Sequence, residues 1–376
     1  MALNTVSSDR LSTNVKTSNL GTELKGKIGE RKNLIINGAM QVAQRGTSST
    51  ANGYGSVDRF SVTYSGTDEA PTHAQADVAS GTTPYTLGFR KSLKLTNGNQ
   101  TSGAGATDGI LIQHKLEGQD VTGSGWNYLS SSSNVTLSFW VKSSVAQNFY
   151  FALITQSGTQ KNYPMETGSL SADTWTKITK TIPGGSGITI NNDNALGLFF
   201  EFMLFRGTDK TGSVNLNEWG TYVGSARTPD QTSTWYTTND ATFEITGVQL
   251  ELGSVATDFE HRSFAQKLAL CQRYFQRVNG CLVGVGAGTT SIRANYQPIV
   301  NFRASPTITG NVGVSFVNPG VNAPTQSSFD CGIQHTYTPN NVGINLGFGN
   351  FSNANQGYTY LQWDADDEYV NFDAEL

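Results

Sequence analysis

Four histidines (His73, His114, His261 and His335), three cysteines and 29 acidic residues are the groups that could carry acid–base, nucleophilic or metal chemistry in this chain of 376 residues. The histidines are scattered, so a triad would have to be assembled from positions that give no local signal. No GxSxG elbow, HExxH zinc helix or phosphate-cradling loop ending in Lys and Ser/Thr occurs. Cys271, Cys281, Cys331 and His335 can be imagined as a zinc set, but the cysteines lack the tight paired spacing of such sites, and packing of small thiols in a core is the preferred reading. The acidic run Asp364, Asp366, Asp367 and Glu368 has the charge for calcium without the spaced loop and glycine, and reads as a solvated turn. Two carboxylates suffice for glycan cleavage, yet sequence spacing does not fix their separation in space. No catalytic residue, metal ligand or cofactor site is therefore assigned.

The elements that would position any site are set by composition. With 41 Gly, only 14% charged residues and a net charge of −4, the polar weight sits in uncharged hydrogen-bonding side chains. Lys and Arg are scattered rather than massed, which disfavours nucleic acid and anionic lipid as partners. The amino terminus MALNTVSSDRLSTNVK lacks a signal-peptide core, and no window approaches the roughly 20 apolar residues of a membrane span. The expectation is a chain made in a cytoplasm, with no membrane insertion. Three cysteines cannot all pair within one chain, so packing rather than a disulfide framework must hold the core.

Residues 1–33 are thinly apolar and read either as a disordered tail or as an arm that orders against a partner. From 34 to 260, short strands separated by Gly, Asn and Ser turns predict an all-β sandwich. Val135, Leu137, Phe139 and Val141 alternate with Thr136, Ser138, Trp140 and Lys142. Residues 195–205 are apolar on both parities, which predicts a central strand covered twice; its one charge, Glu201, is either paired inside or lies where the cover opens. Phe243 and Ile245 are odd-numbered while Val248, Leu250 and Leu252 are even, and a β-bulge at Gly247 would return all five to one face. Phe264, Leu268, Cys271 and Phe275 predict a helix over 263–278, with a capping box from Ser263 to Gln266 and a stop at Asn279-Gly280. This linking segment, 261–280, precedes a smaller, Gly-rich β domain over 281–376.

The stretch Asn33-Leu34-Ile35-Ile36-Asn37-Gly38-Ala39-Met40, with Gln44-Arg45-Gly46 and Asp58-Arg59-Phe60, resembles the opening of many bacteriophage tail-fibre proteins. Gly247-Val248-Gln249-Leu250-Glu251-Leu252-Gly253, then Phe259-Glu260-His261-Arg262 and Cys271-Gln272-Arg273-Tyr274-Phe275, resembles their last strand and exit helix, and the terminal Phe372-Asp373-Ala374-Glu375-Leu376 is typical of them. The resemblance implies a carbohydrate-binding-module-like jelly roll and homotrimeric assembly. It implies an arm over residues 1–30 docked on another virion tail or baseplate protein, and recognition of host surface polysaccharide, with residues 281–376 expected as the distal tip that makes the contact. The chain would then be located in the virion. The expected role is non-enzymatic; a glycan-degrading tailspike and a structural decoration protein are the alternatives.

Flat rings stack on the apolar faces of sugars while Asn, Asp and Gln bond the hydroxyls. Aromatic residues in turn-rich stretches are the candidates: Trp126, Tyr128, Trp219, Tyr222, Trp235 and Tyr236 in the sandwich, and Tyr296, Tyr337, Phe348, Phe351 and Tyr358 in the carboxyl-terminal domain. Each could instead anchor a core. Trp140, Trp175 and Trp363 lie in stronger strand patterns and read as structural. The stripe Phe264, Leu268, Cys271 and Phe275 is expected to be buried between protomers or against the sandwich.

Overall fold

The computed structural model describes residues 32–279, 281–287, 290–310, 315–317, 330–333, 343–350, 358–362 and 369–376. The chain divides into two compact units that do not follow chain order. The first contains residues 32–39, Thr63–Pro71 and Asp77–His261; the second contains Met40–Val62, Thr72–Ala76 and the described residues from Arg262 to Leu376.

Eight strands form the sandwich of the first unit, with Gly220–Thr221 a short edge strand beside the fifth: β1 (Lys91–Thr96), β2 (Gly109–Glu117), β3 (Asn134–Ser143), β4 (Asn148–Thr155), β5 (Lys161–Ser169), β6 (Thr176–Pro183), β7 (Leu196–Arg206) and β8 (Thr242–Leu252). One sheet runs β1-β8-β3-β6 and the other β5-β4-β7-β2, with every pairing antiparallel. This strand order is that of a jelly-roll sandwich, in which strands distant in sequence become neighbours and both sheets turn apolar faces inward.

Alternation dictates the interior. From the first sheet Phe139, Phe243 and Ile245 point inward, and from the second Phe151, Phe200 and Phe202, all fully buried. Their rings interlock, with Phe139 edge-on to Phe151 at 5.0 Å and Phe202 against Phe243 at 4.8 Å. β7 is covered on both faces as its double parity predicts, and Glu201 is buried on its outer face, 1% exposed, accepting from Gln113 with Arg206 and Arg227 nearby. The register of β8 against β3 shifts between Thr246 and Gln249, which places Phe243, Ile245, Val248 and Leu250 together in the core, with Leu252 half-buried. Gly247 makes this bulge with φ +64°, and a Cβ there would stand 2.7 Å from Phe89 Cζ. Gly247→Ala should therefore cost the sandwich about 1–3 kcal/mol through left-handed backbone strain and displacement of Phe89. Chemical denaturation followed by tryptophan fluorescence measures this.

Asn33, assigned from the sequence to the arm, belongs to the sandwich. It is 3% exposed, its amide Nδ2 donates to the Val248 carbonyl at 3.0 Å, and its Oδ1 accepts from the Leu250 amide at 3.0 Å. Residues 1–30 lie outside the described residues.

In the second unit, Val370–Asp373 pairs antiparallel with Phe275–Val278 on one side and Thr307–Gly310 on the other. A six-stranded sheet runs Ser315–Val317, Tyr358–Gln362, Cys281–Gly286, Ile292–Tyr296, Ile344–Phe348, Cys331–Ile333. The helix is shorter than its periodicity predicts: it spans Phe264–Gln272, with the Ser263–Gln266 capping box formed, and Phe275 begins a strand instead of a fourth helical turn. Strand pairing with Val370–Asp373 overrides the helical spacing. The predicted stripe is broken accordingly: Phe264 is 56% exposed, Leu268 half-buried, and Cys271 and Phe275 buried. Burial pushes the Cys271 thiol well above its ordinary pKa, as suits a packed, unreactive sulfur.

Residues of three distant motifs meet in this unit. The Arg59 guanidinium, 0% exposed, lies 3.4 Å above the Tyr274 ring and is ion-paired with Glu375. Arg45 lies 3.6 Å above Phe275 and pairs with Asp373 at 2.8 Å and Glu375 at 3.4 Å. Asp58 Oδ1 accepts from the Gln44 amide at 2.9 Å. Burial raises the Glu375 pKa, partly offset by the two arginines. Burial alone would lower the Arg59 pKa, but Glu375, Tyr274 and Tyr54 reverse this and hold the guanidinium charged.

His73 is fully buried in the same unit, with Nδ1 2.7 Å from Ser56 Oγ and Nε2 3.0 Å from the Ala51 carbonyl. Desolvation lowers its pKa from the ordinary 6.5. Below pH 6.5 the unfolded chain thus binds the proton that the folded chain resists. The contribution is present above that value and is lost as pH falls towards the folded pKa, with a slope of at most about 1.4 kcal/mol per pH unit. His73→Gln should flatten the loss of stability between pH 6.5 and 5 in urea titrations read by circular dichroism.

Candidate functional site

The first sheet's outer face carries the polar parity of its strands. Trp140 on β3 stands between Thr246 of β8 and Lys177 of β6, and Lys142 stands beside Glu244. Lys142 Nζ lies 2.8 Å from Glu244 Oε1, whose other oxygen accepts from Ser92 Oγ at 2.8 Å. Lys142 also lies 5.3 Å from the Trp175 ring centroid. Trp140 and Trp175 are both half-buried and pack against the buried cluster of Ala39, Val78 and Phe89.

A wall of rings closes one end of this face. Phe89 packs edge-on to Phe259 at 4.9 Å and lies 5.3 Å from the His261 ring, which in turn lies 5.0 Å from Phe259. His261 Nε2 is 2.9 Å from the Leu87 carbonyl, which fixes the imidazole plane. The Gly247 bulge leaves the space that Phe89 occupies. Between wall and sheet is a cleft of about 250 Å³ lined by Leu87, Phe89, Ser138, Trp140, Lys177, Thr257, Asp258, Phe259 and His261 among others. Apolar rings beside hydroxyl, ammonium and carboxylate groups can stack on one face of a sugar and hydrogen-bond its edge.

Most aromatic residues singled out from the sequence are elsewhere. Trp126 is 3% exposed, and its indole N–H donates to the Ser133 carbonyl at 3.2 Å. Trp235 and Tyr236 are 0% exposed. The Trp235 indole donates to the Thr242 carbonyl, and Tyr236 stacks on Phe205 at 4.3 Å while its hydroxyl donates to Asp108. In the second unit Tyr296 and Phe348 are buried; Tyr296 stacks on Phe372 at 4.4 Å and its hydroxyl donates to Gln276. These five rings fill cores and offer no face to a ligand, a correction to their reading as sugar platforms.

Tyr128, Trp219 and Tyr222 are half-buried. Trp219 packs edge-on to Tyr163 at 5.2 Å and donates to the Pro183 carbonyl, whereas Tyr222 lies over the outer face of the second sheet. Burial raises the pKa of Tyr222. Tyr337 and Phe351 lie outside the described residues, as does Trp363, and for Tyr358 only the backbone strand is described. Trp140 and Trp175, read as structural, pack on the Ala39, Val78 and Phe89 cluster, and Trp140 also lines the cleft. The even parity that Trp140 shares with Thr136, Ser138 and Lys142 marked it as outward-facing; Phe89, Phe259 and His261 gave no comparable signal.

Among the described residues no group of three His, Cys, Asp or Glu side chains is placed to hold a metal ion, and no helix is long and apolar enough to cross a membrane.

No protein-family model matches the sequence, and no curated protein matches it. Among solved structures, the chain is similar to the enzymatically active domain of tailspike protein 4 of bacteriophage CBA120 (12% identity, 59% of this chain and 21% of that one, TM-score 0.31). It therefore spans about a fifth of that protein's length. It is also similar to a family 11 carbohydrate-binding module of Clostridium thermocellum in complex with a β-1,3-1,4-mixed-linked tetrasaccharide (12% identity, 57% and 98% covered, TM-score 0.25). A third is the N-terminal cellulose-binding domain of Cellulomonas fimi β-1,4-glucanase C (10% identity, 57% and 99% covered, TM-score 0.26).

Proposed function

We propose that this protein is a bacteriophage tail fibre that recognises glycan on the bacterial surface without cleaving it, and that its jelly roll binds the sugar in the cleft beside Trp140. The cleft is the observation that carries this reading, because it joins the half-buried Trp140 to polar groups on a rigid sheet. The tail-fibre motifs quoted from the sequence supply the virion context. In this reading the chain assembles as a homotrimer, with the outward-facing Phe264 and half-buried Leu268 at protomer contacts, and residues 1–30 order on another tail or baseplate protein. Individual sugar sites of about 1 mM become useful through three copies per fibre and several fibres per particle, which can add a factor on the order of 100 to 10,000.

The test is adsorption. The purified full-length protein should sediment as three protomers, label host cells and compete with infecting particles, releasing no reducing ends from host polysaccharide. A monomer at micromolar concentration removes the trimer; release of sugar makes the protein a tailspike enzyme; absence of cell labelling leaves a decoration role.

A further inference from the structure

The opposite face of the sandwich holds a second arrangement of polar groups that the aromatic cleft does not use. Glu201 projects from the outer face of β7, 1% exposed, and Gln113 Nε2 donates to its Oε2 at 2.6 Å. Its Oε1 lies 3.6 Å from Arg206 and 3.6 Å from Arg227. Charge-assisted N–H···O contacts close to about 2.7–2.9 Å, so neither pair is closed. Glu201 Oε1, Arg206 Nε, Arg227 Nε and the neighbouring Asn162 Oδ1 are buried and make no hydrogen bond among the described residues. Buried polar atoms are rarely left in this state, and here they converge on one place.

The site is built. Arg227 is held by its backbone: its carbonyl accepts from Asn162 Nδ2 at 2.9 Å, its amide donates to the Lys210 carbonyl, and its guanidinium stacks 5.2 Å over Tyr222. Tyr222 packs against Leu111, Ala152, Ile154 and Met203, so an apolar surface borders the charges on one side. Two cavities flank the cluster, one of about 210 Å³ lined by Arg206 and the other of about 200 Å³ lined by Asn162. The first also contains Asp230, which accepts from Thr211 Oγ1 at 2.6 Å.

We infer that Arg206 and Arg227 form a binding site for the carboxylate of an acidic sugar, with Glu201 bridging the two guanidinium groups until the ligand enters. Two guanidinium groups face one carboxylate, so the cluster carries an excess positive charge that a second carboxylate would balance. The planar Nε–Nη edge of arginine matches the two oxygens of a carboxylate, and in both arginines the Nε of that edge is unengaged. The sugar part of this inference rests on the glycan-binding reading; the carboxylate part rests on the arginines alone.

The experiment titrates the full-length protein with methyl β-D-glucuronide and, as neutral isostere, methyl β-D-glucoside, read by ligand-observed NMR. The glucuronide should bind at least tenfold more tightly than the glucoside. Arg227→Gln should lose that preference, and Glu201→Gln, which removes the competing carboxylate and keeps the contact to Gln113, should strengthen glucuronide binding several-fold. A double Trp140→Ala/Trp175→Ala variant should leave the preference intact. Equal binding of the two glycosides, retention of the preference in Arg227→Gln, or weakening in Glu201→Gln overturns the inference. Loss of glucuronide binding only in the tryptophan variant also overturns it and assigns the ligand to the cleft, so the two readings fail separately.

Discussion

Replacing Arg59 by Met is expected to destabilise the carboxyl-terminal unit by about 3–5 kcal/mol, the usual consequence of removing one partner from a buried ion pair. Without the guanidinium, Glu375 remains buried at 6% side-chain exposure beside Asp373, with Arg45 left to compensate, and Tyr274 loses the cation stacked on its ring. The second unit depends on this contact because the final strand Val370–Asp373 sits between two others, and Arg303 also donates to the Ala374 and Glu375 carbonyls. Hydrogen exchange at the amides of Phe372 and Ala374 should speed by a factor on the order of 100 or more, consistent with several kcal/mol of lost local stability. The described tryptophans all belong to the sandwich, so their fluorescence transition should move little. A double Arg59→Met/Glu375→Leu variant should recover much of the loss, because no unpaired charge is left in the interior. Unchanged exchange in the single variant would show that the ion cluster does not hold the terminus.

The second large effect concerns binding. Trp140 lines the cleft and Trp175 lies beside it across Lys142, both half-buried, and removing a stacking aromatic of this kind should cost about 2 kcal/mol, roughly thirtyfold in Kd. Trp235→Leu should do the reverse. That ring is 0% exposed and packs edge-on to Phe149 at 6.5 Å, so its loss should lower the sandwich's stability by about 3 kcal/mol while folded molecules still bind. If instead the buried tryptophan abolished binding in folded protein and the half-buried pair did not, the cleft would be the wrong place.

The alternation of Val135 to Val141, the double parity of β7 and the parity change at Gly247 made the sandwich readable, because strand periodicity and one glycine state which face is buried. The helix was readable only as far as Gln272. The spacing continued to Phe275, but Arg45 stacks on that ring and the last strand pairs with its backbone, and neither contact is visible to local pattern. The motifs that carry the tail-fibre resemblance turn out to be architectural: Asn33 ties the first strand region to Val248 and Leu250, and Arg45, Asp58, Arg59, Tyr274 and Glu375 gather into one buried cluster. The cleft was less readable. Turn-rich surroundings pointed to Trp126 and Trp235, whose side chains bury themselves against local carbonyls, whereas the cleft combines Phe89, Trp140 and Phe259 from segments far apart in sequence. Glu201 was readable as an anomaly, but its partner Arg227 arrives on a loop that strand patterning cannot place.

The most direct measurement is the binding of the full-length protein to purified host surface polysaccharide by biolayer interferometry, comparing wild type with Trp140→Ala/Trp175→Ala at matched thermal stability. The account predicts avid binding by the wild-type protein and a loss of at least a hundredfold in the variant. Equal binding by the two proteins would contradict the assignment of recognition to the cleft.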